Sequence, residues 1–168
     1  MISKQQFLDS CLNEIRIIKH LYVKVKPGML NYRPTEKQRS MLELLQYLGG
    51  FVKLEAEAIY SGKAITDFHK AMEQAYRMPA EKFPAMMDEQ AGELNGIFSK
   101  ITDAELDEQV DLFGRGKSQA RSLWFLNLIL KSLTAYKMQL FLYLKSCGVT
   151  DIGTSNLWRG EDAAKAKV

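Results

Sequence analysis

Glu55 is the residue whose type and placement first suggest chemistry. Leu44, Leu48, Phe51, Glu55 and Ile59 follow one another at helical steps, so a carboxylate stands on or beside an otherwise apolar, inward-facing stripe. A buried charge must be paired or hydrogen-bonded. Glu55 therefore either reaches the bundle edge or a lysine, or lines a pocket. Ser132 and Tyr136 are four residues apart and share a helix face. The histidines are His20 and His69, and neither has a second histidine or a His-x-x-Glu carboxylate at helical spacing. Both read as solvent-facing or partly packed and not as metal ligands. Cys11 and Cys147 lie far apart with no Cys-x-x-Cys and no adjacent base, which implies free thiols and a reducing, cytoplasmic setting. Gly114-Arg115-Gly116-Lys117-Ser118 resembles the end of a phosphate loop but lacks the first glycine and the preceding strand. Arg115, Lys117 and Arg121 gather before a long apolar segment. They form either a solvated helix start or a site for a small anion.

These residues must be positioned by helices. The chain has 168 residues, 46% hydrophobic and 26% charged, with Gly and Pro sparse and placed between apolar stretches. That is enough for one domain with a real core. The formal charge of +3 is mild and the basic residues alternate with acidic ones, which excludes a nucleic-acid surface. The N-terminus reads as an amphipathic stretch and not as a signal peptide. The apolar run from Leu123 to Leu144 contains Lys131 and Lys137, each costing about 2.5–3.5 kcal/mol at a bilayer centre, so a core helix is expected and not a membrane span.

Four main helices are expected. Ser3-x-x-Gln6 opens the first as a capping box, Leu8, Cys11, Ile15, Ile18, Tyr22 and Val25 form its stripe, and Pro27-Gly28 ends it. Ser40-x-x-Glu43 opens the second, which runs to Ser61-Gly62. A less regular crossover with a short helix over 67–76 leads to a third helix over 80–101, and Thr102-x-x-Glu105 starts a turn. The fourth helix spans 118–147 and stops at Gly148. Residues 1–150 form the bundle and 151–168 a C-terminal extension, with a loose polar end.

Three stretches carry a resemblance. Leu133-Thr-Ala-Tyr136-Lys-Met-Gln139-Leu140, followed by Tyr143-Leu144-Lys-Ser-Cys-Gly148, has the layout of a helix that typically reads His-x-x-x-His-Arg-Gly-Gln-Leu and ends Tyr-Leu-Arg-x-x-Gly. Leu30-Asn-Tyr-Arg33-Pro34 and Ser40-Met-Leu-Glu43-Leu-Leu-Gln-Tyr47-Leu48 match Arg-Pro, a gap, then Trp-Ser-x-x-Glu-x-Leu-x-His-Leu, with Arg39 at the Trp. Asp111-Leu-Phe-Gly114 is similar to the turn before the last helix. Over roughly residues 5 to 150 the chain thus resembles the DinB-like superfamily. The resemblance implies an all-α four-helix bundle with a longer crossover between helices two and three. In that family three histidines hold a divalent metal, and thiol-cofactor transferase chemistry depends on it. Here Tyr47, Ser132 and Tyr136 stand at those positions. A phenol with a pKa of about 10 and a serine hydroxyl do not replace neutral imidazole. No metal and no cofactor are expected.

The sequence leaves several functions open. The first is a metal-free, non-catalytic bundle that binds a small molecule or partner in the former metal cleft, with Glu55 and Gln139 lining it. The second is a transferase- or hydrolase-like enzyme using Tyr47, Tyr136 and Glu55 as acid-base groups in the same cleft. A third, a DNA-binding module, is disfavoured for want of a basic face with aromatics. Leu123, Trp124, Phe125, Leu126, Leu128, Ile129 and Leu130 cover nearly the whole circumference of helix four. Something must cover the excess: the crossover, Leu157 and Trp158, or a second copy in a homodimer, which is the expectation here.

Overall fold

The computed structural model describes residues 2–163. Helix α1 runs Lys4–Tyr22 behind the expected capping box, in which the Ser3 hydroxyl accepts from Gln6 N and the Gln6 side chain accepts from Ser3 N. It stops earlier than Pro27 predicts, so Val25 lies beyond it; a 3-10 turn, Pro27–Met29, follows. The Tyr22 hydroxyl donates to the Ala80 carbonyl at 2.8 Å, and Leu21 takes its expected place in the core.

The second helix is two helices, α2 (Met41–Leu48) and α3 (Phe51–Ser61), broken at Gly49-Gly50. The apolar periodicity runs straight through the break and so conceals it. A Cβ on Gly50 would stand 2.5 Å from the Ala75 Cβ, so the break lets the crossover press against the bundle. Gln90 mends the interrupted ladder. It is buried, its Nε2 donates to Leu48 O at 2.8 Å, and its Oε1 accepts from Val52 N at 2.9 Å. One carboxamide thus stands in the hydrogen bond that an unbroken helix would make between residues 48 and 52.

The crossover holds α4 (Phe68–Ala71) and α5 (Glu73–Tyr76). Helix α6 spans Phe83–Lys100 after a 3-10 turn, with Pro84 in its first turn where no ladder donor is lost. The Thr102–Glu105 capping box opens a short α7, Asp103–Asp107. Strands β1 (Gln109–Val110) and β2 (Gln119–Ala120) pair antiparallel around the Asp111–Gly116 loop, whose backbone N–H groups at Arg115 and Gly116 donate to the Asp111 carboxylate. The last long helix begins at α8 (Arg121–Trp124), widens into a π-helical segment (Phe125–Leu130) and continues as α9 (Lys131–Ser146). The segment keeps Phe125 and Ile129, four apart, both fully buried. Helix α10 (Thr154–Arg159) folds back onto α1 and α9 and buries Asn156 and Leu157. The end of the chain from residue 164, expected to be loose, lies outside the described residues.

This is an all-α four-helix bundle with one minimal two-stranded ladder. Helix α1 packs on α6 and α9, and the α2–α3 arm packs on the same two, so helices one and two sit diagonally. The core fills with Leu8, Ile15, Leu44, Phe51, Phe83, Leu94, Leu133 and Leu140. Among the described residues no helix is long and apolar enough to cross a membrane.

Candidate functional site

The last turn of α2 and the early turns of α9 bring Tyr47 and Tyr136 together, with ring centroids 4.8 Å apart. Phe51 stacks on Tyr47 at 5.1 Å and 8° across the glycine break, and Phe68 of the crossover closes from 6.1 Å. Over this cluster lies Arg39, the residue before the N-cap of α2. Its guanidinium carbon is 4.1 Å from the Tyr47 centroid and 5.8 Å from that of Tyr136, within cation–π range. The Arg39 backbone is clamped as well. Gln139 Nε2 donates to the Tyr143 hydroxyl at 2.7 Å, and that hydroxyl donates to the Arg39 carbonyl at 2.8 Å. Gln139 therefore acts on the site through Tyr143. Ser132 is half-buried one turn before Tyr136.

Glu55 is 6% exposed, and its Oε2 has no hydrogen-bond partner among the described residues. Burial pushes its carboxyl up to about 8, so it is mostly neutral at neutral pH. The Tyr47 phenol is pushed well above the usual tyrosine range, first by burial, then by the nearby Glu55 and Tyr136, with Arg39 opposing. The site therefore presents uncharged oxygens and one fixed cation. Such a donor set does not fit a divalent metal: it has phenol and hydroxyl oxygens where imidazoles would serve, and a guanidinium already against the Tyr47 face. Among the described residues no three His, Cys, Asp or Glu side chains form a metal-binding group.

Beside the cluster a cavity of about 460 Å³ is lined by Arg33, Lys37, Arg39, Gln46, His69 and Tyr76, among others. Arg33 is committed, with one nitrogen on Glu43 at 2.9 Å and another on the Gln38 carbonyl at 2.8 Å. His69 is exposed beside Tyr76, ring centroids 5.9 Å apart. His20 meets Asn156 and Asp162 and so ties the C-terminal segment to α1. Cys11 is buried, and burial followed by the Glu14 charge pushes its thiol up to about 12, leaving it unreactive. Of the three cations read at the start of helix four, Arg115 and Lys117 are exposed in the loop between the strands, whereas Arg121 is engaged within the fold. Arg121 donates to the Ile59 carbonyl at 2.9 Å and to the Glu105 carbonyl at 3.1 Å, and it pairs with Glu108.

Sequence reasoning missed Arg39, Gln90 and the buried Lys137. The adjacency of Arg39 to a tyrosine-bearing helix was the available signal. Lys137 Nζ pairs with Glu14 Oε2 at 2.8 Å under the Trp158 ring, a contact that no local pattern announces.

The fold as a whole is DinB-like. Two solved structures share it: a DinB-like protein from Bacillus subtilis and a protein assigned to the DinB family from Exiguobacterium sibiricum. The first is 19% identical, covers 89% of this chain and 96% of its own, and superposes with a TM-score of 0.69. The second is 21% identical, covers 93% and 99%, and also has a TM-score of 0.69. At those identities the likeness is one of fold. No family model matches the chain, and no curated protein matches it.

Proposed function

We propose that this chain is a metal-free, non-catalytic variant of the DinB-like bundle that binds a small molecule beside the Arg39–Tyr47–Tyr136 cluster. One observation carries the reading. The Arg39 guanidinium rests on the Tyr47 and Tyr136 rings, the two aromatic positions at which the family resemblance puts metal-binding imidazoles. A side-chain cation takes the place of a metal cation. The test is elemental analysis of protein purified without chelators, together with zinc and nickel titration. The expected result is far less than one metal per chain and no saturable uptake. Stoichiometric metal that is lost on Tyr47→Phe or Tyr136→Phe would overturn the reading.

Acid-base catalysis by Glu55 is the second reading, favoured by its titration near 8. Binding is preferred because Arg39 lines the adjacent cavity and Glu55 does not. We propose further that the molecule is a homodimer in a reducing, cytoplasmic compartment, where Cys11 and Cys147 stay free thiols. Leu123 is 46% exposed and Leu142 53%, and Leu126 and Met138 between them are also exposed along the last long helix. The Trp158 ring lies against Lys137. A pair of such helices with flanking loops can supply the roughly 1,200–2,000 Å² of a standard interface. Light scattering should give a dimer mass for the full chain and a monomer mass for Leu123→Glu/Leu142→Glu. A monomeric wild type would sink the assembly.

A further inference from the structure

Resting on the binding reading, we propose that Arg39 is the anchor for a small molecule bearing a carboxylate or phosphate group, seated in the cavity of about 460 Å³ beside it. The volume lies in the usual range for small-molecule sites. Most arginines of this chain spend their donors within the fold. Arg33 grips Glu43 and two carbonyls, Arg16 grips Asn13 and the carbonyls of Arg159 and Gly160, and half-buried Arg121 grips two carbonyls and Glu108. Half-buried Arg39 has neither a carboxylate partner nor a side-chain hydrogen bond among the described residues. It is nonetheless fixed at both ends, by the Tyr143 hydroxyl on its carbonyl and by the Tyr47 and Tyr136 rings under its guanidinium.

A guanidinium is a planar fork of N–H donors that matches two oxygens of a carboxylate or phosphate side by side. Stacking on rings fixes the plane of the fork without using its donors. The side-chain entropy that an arginine normally loses on binding is therefore largely spent in the fold already. The rest of the cavity agrees in sign. Lys37 adds a second cation with no carboxylate partner among the described residues. The one acid among the lining residues, Glu43, is occupied by Arg33 and by the Ser40 backbone N–H. The Glu43 carboxyl is held below the usual carboxylate range by that N–H first and by Arg33 after it. His69 and Tyr76, which also line the cavity, offer ring surface for the carbon skeleton of the ligand.

The test is calorimetric titration of the full chain at low salt with succinate, glycerol 3-phosphate and inorganic phosphate, with choline and glycerol as cationic and neutral controls. The three anions separate a carboxylate ligand, an organic phosphate and bare phosphate. At least one should bind saturably at one site per chain and shift the Tyr47 and Tyr136 ring resonances. Arg39→Lys keeps the charge but removes the fork, and should weaken binding by about tenfold or more. Arg39→Gln should weaken it further and Lys37→Gln less, with circular dichroism confirming that each variant is folded. Equal affinity in wild type and Arg39→Lys would overturn the assignment of the fork. Binding of choline or glycerol at the tyrosines with no anion bound would overturn the inference and leave the binding reading standing. No binding of any probe would overturn both.

Discussion

Replacing Glu55 by glutamine should remove most of the pH dependence of stability across the neutral range. An ordinary glutamate titrates near 4.5, whereas Glu55 in the fold titrates near 8 because burial penalises its charge. The folded protein therefore holds on to a proton that the unfolded chain gives up. The stability that this proton contributes is fully present below pH 4.5 and is lost as pH rises towards 8, levelling off above that. Each pH unit inside this window costs about 1.4 kcal/mol, so by pH 7 about 3 kcal/mol of the Glu55 contribution is gone. The group is 6% exposed, so solvent screening takes little from this figure. Glutamine has the same shape and no titration, but its amide adds buried donors, a pH-independent penalty of about 1–2 kcal/mol. The assay is urea unfolding of both proteins at several pH values from 5 to 9, taking the difference between the curves. Subtraction cancels His20, His69 and every other group common to both. The variant should gain on wild type steadily up to about pH 8, whatever the offset between them. A difference that stays flat with pH would show that Glu55 is ionised in the fold at neutral pH, and that a partner or water reaches its Oε2.

Gln90→Ala removes the carboxamide bridging Leu48 and Val52 and leaves buried backbone groups unpaired at the α2–α3 break; urea unfolding should show a loss of about 2–4 kcal/mol. A loss below that of an exposed Gln→Ala control would mean the break is solvated. Lys137→Met strips the partner from Glu14 and should cost about 3 kcal/mol in the same assay, while Glu14→Leu/Lys137→Met should recover most of it, because an apolar pair can replace a buried ion pair.

What was legible in the sequence is local. The Ser3–Gln6 and Ser40–Glu43 capping boxes form as read, because each is complete within four residues, and Thr102–Glu105, read as the start of a turn, caps a short helix in the same way. The apolar stripes show which faces are buried because periodicity is also a local property. What escaped depends on distant partners. The Gly49-Gly50 break is invisible beside Leu44, Leu45, Leu48 and Val52, and the side chain that mends it lies about forty residues further on. The π-helical segment hides for a related reason. The apolar run from Leu123 to Leu130 reads as covering the whole circumference, when the widened turn buries Phe125 and Ile129 and leaves Leu123 and Leu126 exposed. Lys137 reads as a polar interruption of an apolar helix until Glu14, 123 residues away, is placed against it.

The candidate site follows the same division, and it shows why single positions mislead. Taken one at a time, an arginine where the resemblance expects tryptophan and tyrosines where it expects histidines look like separate losses. In space they answer one another. A guanidinium without hydrogen-bond partners can be held by flat, electron-rich faces beneath it, which phenol rings supply. Two phenols tilted at 57° to one another beside a buried carboxyl form a weak cation trap, and Arg39 fills it at 4.1 Å from the Tyr47 ring. The Tyr143 hydroxyl that holds the Arg39 carbonyl comes from the same helix as Tyr136, one of the two rings under the guanidinium. The nearer ring, Tyr47, comes from α2, so the guanidinium at the wall of the cavity is held from two helices at once.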